Sequence, residues 1–261
     1  KRRCPLDTNK LIQNAINSVS KQLHNYQTST DPKLQKKASI LSYWLDDYMR
    51  MLKKEETFNP RKLKRYKRGE IVKVHLGYNI GNEEGGLHYA IVLTKNDSKN
   101  SPIITIIPLS SVKANKPIHP YNVFLGDTIF QQLKGKWEIH HDLIDQELTS
   151  QTQEVDSLRE LISSKTEAEL LEDHADIDKR IHELNASIAH LSKLSSRRDK
   201  ISNEILKMKT GSIALVNQIT TISKIRIYNP LHSNDVLGNV KVSNEILDAI
   251  DDKIRELYIG K

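Results

Sequence analysis

The chain has 261 residues, 37% hydrophobic and 28% charged, which allows one good core with additions and is ordinary for a globular protein. Its apolar runs fall far short of the roughly 20 residues of a membrane-spanning helix, and no signal-peptide pattern is present. A single cysteine, Cys4, excludes an internal disulfide or a multi-cysteine zinc site and fits a reducing cytoplasm.

The net charge of +7 is unevenly spread. Residues 1–68 hold 17 Lys/Arg against 6 Asp/Glu, and the remainder sums to −4. That concentration favours an acidic partner at the N-terminal end, nucleic acid being the obvious one, beside the commoner reading of solvated lysines on surface helices. The chain begins at Lys1 rather than at a methionine, so a native start further upstream is expected.

In chain order, residues 1–65 read as a basic helical segment and linker. Leu11, Ile12, Ile16, Val19 and Leu23 recur at helical spacing behind an Asp7 cap. A second helix restarts at Asp31 with Pro32 in its first turn, then carries Leu34, Ile40, Leu41, Trp44, Leu45, Tyr48 and Leu52. The two are expected to pack as a hairpin. From Gly69 the period changes to that of strands: "GEIVKVHLGY", "HYAIVLTKND", "PIITIIPLS" and "YNVFLG" are β-branched or apolar runs punctuated by Gly, Pro, Asn and Asp, and they mark residues 66–137 as the first part of a β domain.

Between Gly135 and Gly211 the chain has no glycine, no proline and, after Trp137, no aromatic residue. Ile177, Ile181, Leu184, Ile188 and Leu191 step by four, three, four and three, a heptad seam, with Val155, Leu158 and Ile162 as a shorter one. Residues 138–210 therefore read as inserted coiled-coil helices folded back at a turn near "SSKT", net charge −6 over 138–209. Strand alternation resumes in "SIALVNQITTISKIRIYN", and a last amphipathic helix carries Ile246, Ile250, Ile254 and Leu257, so residues 211–261 complete the β domain.

Three stretches can carry chemistry. In "GNEEGGLH", Glu83, Gly85, Gly86 and His88 bring a carboxylate, backbone N–H groups and an imidazole together, as acid/base work at phosphorus needs; a lone loop histidine more often serves only a hydrogen bond. In "IIPLSSVK", Ser110 and Ser111 end a strand where hydroxyls can hold a phosphate oxygen or satisfy their own turn, and the context of a serine nucleophile elbow is missing. In "NQITTISKIRI", alternation puts Gln218, Thr220, Ile222, Lys224 and Arg226 on one polar, cationic face and Thr221 on the other; the bland alternative is a solvated sheet face. His140, His141, His174, His182 and His190 are expected to be solvated.

These three stretches, in this order and followed by a C-terminal helix, resemble the PemK/MazF toxins of type II toxin–antitoxin modules over roughly residues 66–130 and 212–258. The resemblance implies an α+β chain: a small SH3-like β-barrel, here interrupted by the helical hairpin and preceded by another. It also implies a cytoplasmic homodimer that cleaves single-stranded RNA at short sequences without metal or cofactor, through 2′-OH attack to 2′,3′-cyclic phosphate and 5′-OH ends, held by an antitoxin protein. Glu83 matches the family's loop glutamate and Ser110 its supporting hydroxyl. Gln218, Thr221 and Arg226 match the family's positions in the last strand, and with Ser111 and Lys224 they are expected to bind substrate. His88, followed by Tyr89, stands where the family usually has an arginine followed by proline; arginine stabilises charge, whereas histidine as a residue type can also move a proton. The same resemblance admits a non-catalytic barrel that binds a protein or nucleic acid, with the coiled coil as an assembly module. A third reading is a coiled-coil scaffold whose barrel only docks a partner.

Overall fold

The computed structural model describes residues 7–209 and 211–260; Cys4 and Thr210 lie outside them. Two helices come first, α1 (Thr8–Gln27) and α2 (Pro32–Glu55). Asp7 caps α1 by accepting from Lys10 N–H, and Asp31 caps α2 by accepting from Lys33 N–H with Pro32 at its start.

Four strands follow: β1 (Ile71–His75), β2 (Leu87–Val92), β3 (Ile103–Ser111) and β4 (Asn122–Gly126). The chain then leaves the sheet through α3 (Thr128–Ser164), a short α4 (Glu167–Glu172) and α5 (His174–Lys207). It returns as β5 (Ser212–Leu215), β6 (Thr220–Ser223) and β7 (Ile227–Asn229), and ends in α6 (Asn244–Ile254).

All pairings are antiparallel, in the order β4-β5-β3-β2-β1-β7 with β6 beside β3. β3 is the hub. Its first half pairs with β6 and its last residues with β5, so both returning strands attach to one parent. The chain is thus mixed helix and antiparallel sheet, but among the described residues the pairing path stays open from β4 to β7 and does not close into a barrel.

Both faces of the sheet are covered, which is why its strands read as continuous apolar runs. Ile71, Ile91, Ile107 and Leu109 join Ile129, Leu133, Ile201 and Ile250 from the helices in one core. Val72, Val74, Ala90, Val92, Ile104 and Ile106 join Tyr66, Ile222 and Ile227 in the other.

The inserted helices run antiparallel: Glu147 meets Ser187, Glu154 meets Arg180, and Lys165 meets Asp173, each pair stepping toward the turn. Two features differ from expectation. The first helix begins at Thr128, because Ile129 and Leu133 root its opening turns in the core. The packed face of α5 also differs: Ile177, Leu184, Leu191 and Leu194 turn inward with Arg180 and Ser187, while Ile181 and Ile188 are 42% and 50% exposed.

Candidate active site

The loop joining β1 to β2 is closed at its base by Leu76 N–H donating to Gly86 O (2.8 Å) and Gly86 N–H donating to Gly77 O (2.7 Å). Glycine is needed at two points: Gly86 has φ +86°, and a Cβ on Gly85 would lie 2.9 Å from the Gly77 carbonyl oxygen. Gln218 fastens the loop from a distant part of the chain. Its Oε1 accepts from Glu84 N–H (2.8 Å) and its Nε2 donates to Asn82 O (3.0 Å). The Asn79 amide donates to Glu84 O at 2.7 Å.

So fastened, the loop brings Glu84 rather than Glu83 to the imidazole. Glu84 Oε1 lies 3.6 Å from His88 Nδ1, and both side chains are about a quarter exposed (25% and 26%). Nδ1 also lies 3.1 Å from Leu109 O. A carbonyl only accepts, so Nδ1 carries the proton in the neutral ring and Nε2 presents a lone pair, with no hydrogen-bond partner among the described residues. Glu83 folds back on its own loop, Oε2 accepting from Ile80 N–H at 3.4 Å.

His88 borders a cavity of about 640 Å³ with Ser110, Lys113 and the insertion's Lys207 and Lys209. A second cavity of about 320 Å³ is lined by Glu84, Gln218, Lys116 and His119. The two share Ser110, Ser111, Val112 and Lys113, so they form one groove over the end of β3. Its cations supply the field a phosphate chain requires, and its hydroxyls, imidazole and carboxylate supply hydrogen-bond and proton-transfer groups.

The insertion reaches this groove through a polar node. Glu204, near the end of α5, pairs with Lys73 of β1 and accepts from Tyr89 Oη of β2 at 2.5 Å. Burial and the Glu204 carboxylate both raise the Tyr89 phenol, which stays a proton donor across the ordinary pH range.

The last-strand residues divide differently from the alternation read in the sequence. "VNQ" and "KIR" are 3-10 turns on either side of β6, and Ser223 Oγ accepts from Ile225 N–H at the second. The two-residue period is broken there, so the expected single cationic face does not exist. Lys224 is turned inward, 1% exposed, where Nζ donates to Asp97 Oδ1 (2.6 Å) and Ser98 O (3.0 Å). Arg226 donates to Leu76 O (3.0 Å) and lies over the Trp44 ring, 5.6 Å from its centre. Thr221 hydrogen-bonds Thr105 across the sheet at 3.0 Å. The structure therefore brings His88, Ser110, Ser111 and Gln218 to the groove, and leaves Glu83, Thr221, Lys224 and Arg226 outside its lining.

Glu84, Lys113, Lys116, His119, Lys207 and Lys209 were not singled out by sequence reasoning. Only Lys113 and Lys116, close behind the paired serines, offered a local signal. His140 and His141 are half-buried rather than solvated, the first beside Lys136 O (2.9 Å) and the second stacked on Trp137. Among the described residues no group of three or more His, Cys, Asp or Glu side chains could hold a metal ion, and no helix is long and apolar enough to cross a membrane.

Residues 67–172 match the family described as PemK-like, MazF-like toxin of type II toxin-antitoxin system. The match spans β1 to β4 and runs through α4, ending before α5 and the returning strands β5 to β7. No curated protein matches the chain.

Proposed function

We propose, from the premise that residues 67–172 are a PemK-like, MazF-like toxin domain, that this chain is a toxin acting as an endoribonuclease on single-stranded RNA. The observation that carries the reading is the groove itself: an imidazole with a free Nε2, steadied through Nδ1, opposite a serine hydroxyl and several lysines.

In the reaction, His88 Nε2 takes the proton of a ribose 2′-OH. The 2′-oxygen then bonds to the adjacent phosphorus as the P–O5′ bond breaks. The products are a 2′,3′-cyclic phosphate and a 5′-OH, whose oxygen takes its proton from water, and the imidazolium returns its own to solvent. Leu109 O and Glu84 hold the ring in place, while Ser110 and Lys113 meet the phosphate oxygens. Histidine in the place of the family's usual arginine thus exchanges a fixed charge for a group that can carry the proton. Ser111 and Gln218 complete the site, Ser111 as a groove wall and Gln218 as the fastening that sets Glu84. An SH3-like architecture, the homodimer and an inhibiting antitoxin protein belong to the same reading.

The test is end-mapping of single-stranded RNA incubated with the protein. Cuts leaving cyclic phosphate and 5′-OH ends are expected, with His88→Ala lowering the rate at least a hundredfold while its far-UV spectrum and unfolding midpoint stay unchanged. Toxicity with RNA left intact would select the non-catalytic reading instead.

A further inference from the structure

Beside the groove lies a second concavity that the proposed cleavage chemistry does not use. It measures about 470 Å³ and is formed where α2 crosses the β1–β2 loop. Tyr43 and Trp44 supply one side, Tyr78 and Asn79 the other, and Gly85 and Gly86 leave bare backbone at its edge. Leu87 borders both this concavity and the groove that holds His88, so the two adjoin across one residue.

The wall is aromatic, with aliphatic edges at Ile40 and Leu87 and one carboxylate, Glu83; the cations Lys37 and Arg226 lie against its rings, outside the wall. Trp44 stacks on His75 with ring centres 4.5 Å apart, so the indole is held in place by its neighbour. Lys37 lies between two tyrosines, its Nζ 5.1 Å from the Tyr26 ring centre and 6.0 Å from that of Tyr78. Tyr43 is 76% exposed, a large ring presented to solvent with no ring partner among the described residues. Exposed aromatic faces at the edge of a basic groove suit a stacked nucleobase whose phosphate lies among the groove's lysines.

We infer that this concavity is a nucleobase subsite, taking one unpaired base of the RNA strand next to the cleaved linkage by stacking on Tyr43 and Tyr78. The inference rests on the reading of the groove as an RNA site and adds to it a specificity element supplied by the N-terminal helices. Part of the N-terminal basic charge then has a defined role. Lys37 steers the strand across α2 toward the groove.

The test separates binding from cleavage. Fully 2′-O-methylated oligoribonucleotides, which lack the attacking hydroxyl, are titrated against the full chain by fluorescence anisotropy, and the tightest binder is then rebuilt with an abasic residue at each position in turn. Tyr43→Ala and Tyr78→Ala are each expected to weaken binding about tenfold, with Tyr43→Phe restoring it. One abasic position is expected to cost wild type at least the same factor and the Tyr43→Ala chain distinctly less. Equal affinity in wild type and both alanine variants, or an abasic loss unchanged in Tyr43→Ala, overturns the subsite. Absence of binding by wild type overturns the subsite and the RNA reading together, whereas the expected pattern in a chain that leaves ordinary RNA uncut removes only the cleavage reading.

Discussion

The molecule carries two helical hairpins on one sheet, and they are attached in opposite ways. The inserted pair α3/α5 enters the core itself: Ile129, Leu133 and Ile201 are buried among sheet side chains, and Glu204 adds a polar node with Lys73 and Tyr89. The N-terminal pair leans on the sheet from outside. α1 has no buried residue, leaving Leu11, Ile12, Ile16 and Val19 exposed, and α2 reaches the sheet edge largely through Trp44 against His75 and Arg226. Two sequence stretches with similar helical periodicity therefore differ in how strongly the fold holds them. The first kind of attachment is an extension of the core; the second is a contact that can loosen while the sheet stays folded.

The sharpest break comes at the root of the insertion. Leu133→Ala should cost about 2–5 kcal/mol and lower the denaturation midpoint of the whole sheet, because the cavity opens inside the shared core. Loss of the hairpin alone, with the sheet transition unmoved in a chemical-denaturation curve, would refute the deep attachment. A smaller effect is expected at the polar node. Glu204→Ala leaves Lys73 and Tyr89 without their common acceptor, costing about 1–3 kcal/mol, and Glu204→Gln should recover part of it by accepting from Tyr89.

The mildest expectation concerns the outer hairpin and pH. Burial, reinforced by the Arg226 charge, holds His75 below the ordinary imidazole value against the opposing pull of the Asp47 carboxylate. A histidine depressed in the folded state favours folding fully above its unfolded value and loses that contribution as pH falls through the lower folded one. Acidification from neutrality should therefore lower amide protection factors in α2 before those of β1 to β3. Uniform loss of protection across helices and strands would show that the outer hairpin is as firmly held as the inner one.

Much of this architecture was readable locally. Asp7, Asp31 and Pro32 announced helix starts through groups that act within three residues, and the absence of glycine and proline announced the long helices. Periodicity located the apolar stripe of α5 but not the side that meets its partner, because Glu154 and Glu147 draw Arg180 and Ser187 into the contact. The inward turn of Lys224 depends on Asp97, far away in sequence, although Ser223 ahead of a potential turn was an available warning. Glu84 could not be preferred to Glu83 by spacing. The choice is made by Gln218, which reaches the loop from 134 residues further along the chain.

The register of β4 on β5 carries a consequence for how the chain reaches this state. Gly126 lies opposite Ser212, so residues 127–211 intervene between two strands that are otherwise a simple hairpin. Closing so long a span as free coil would be slow, because its entropy must be lost before the strands reward it. Two helices that zip together from their turn bring the span's ends side by side and convert a distant encounter into a local one. The insertion is in that sense a splint for assembly, and weakening its seam, far from the sheet, should slow the folding of the sheet in which its base is rooted.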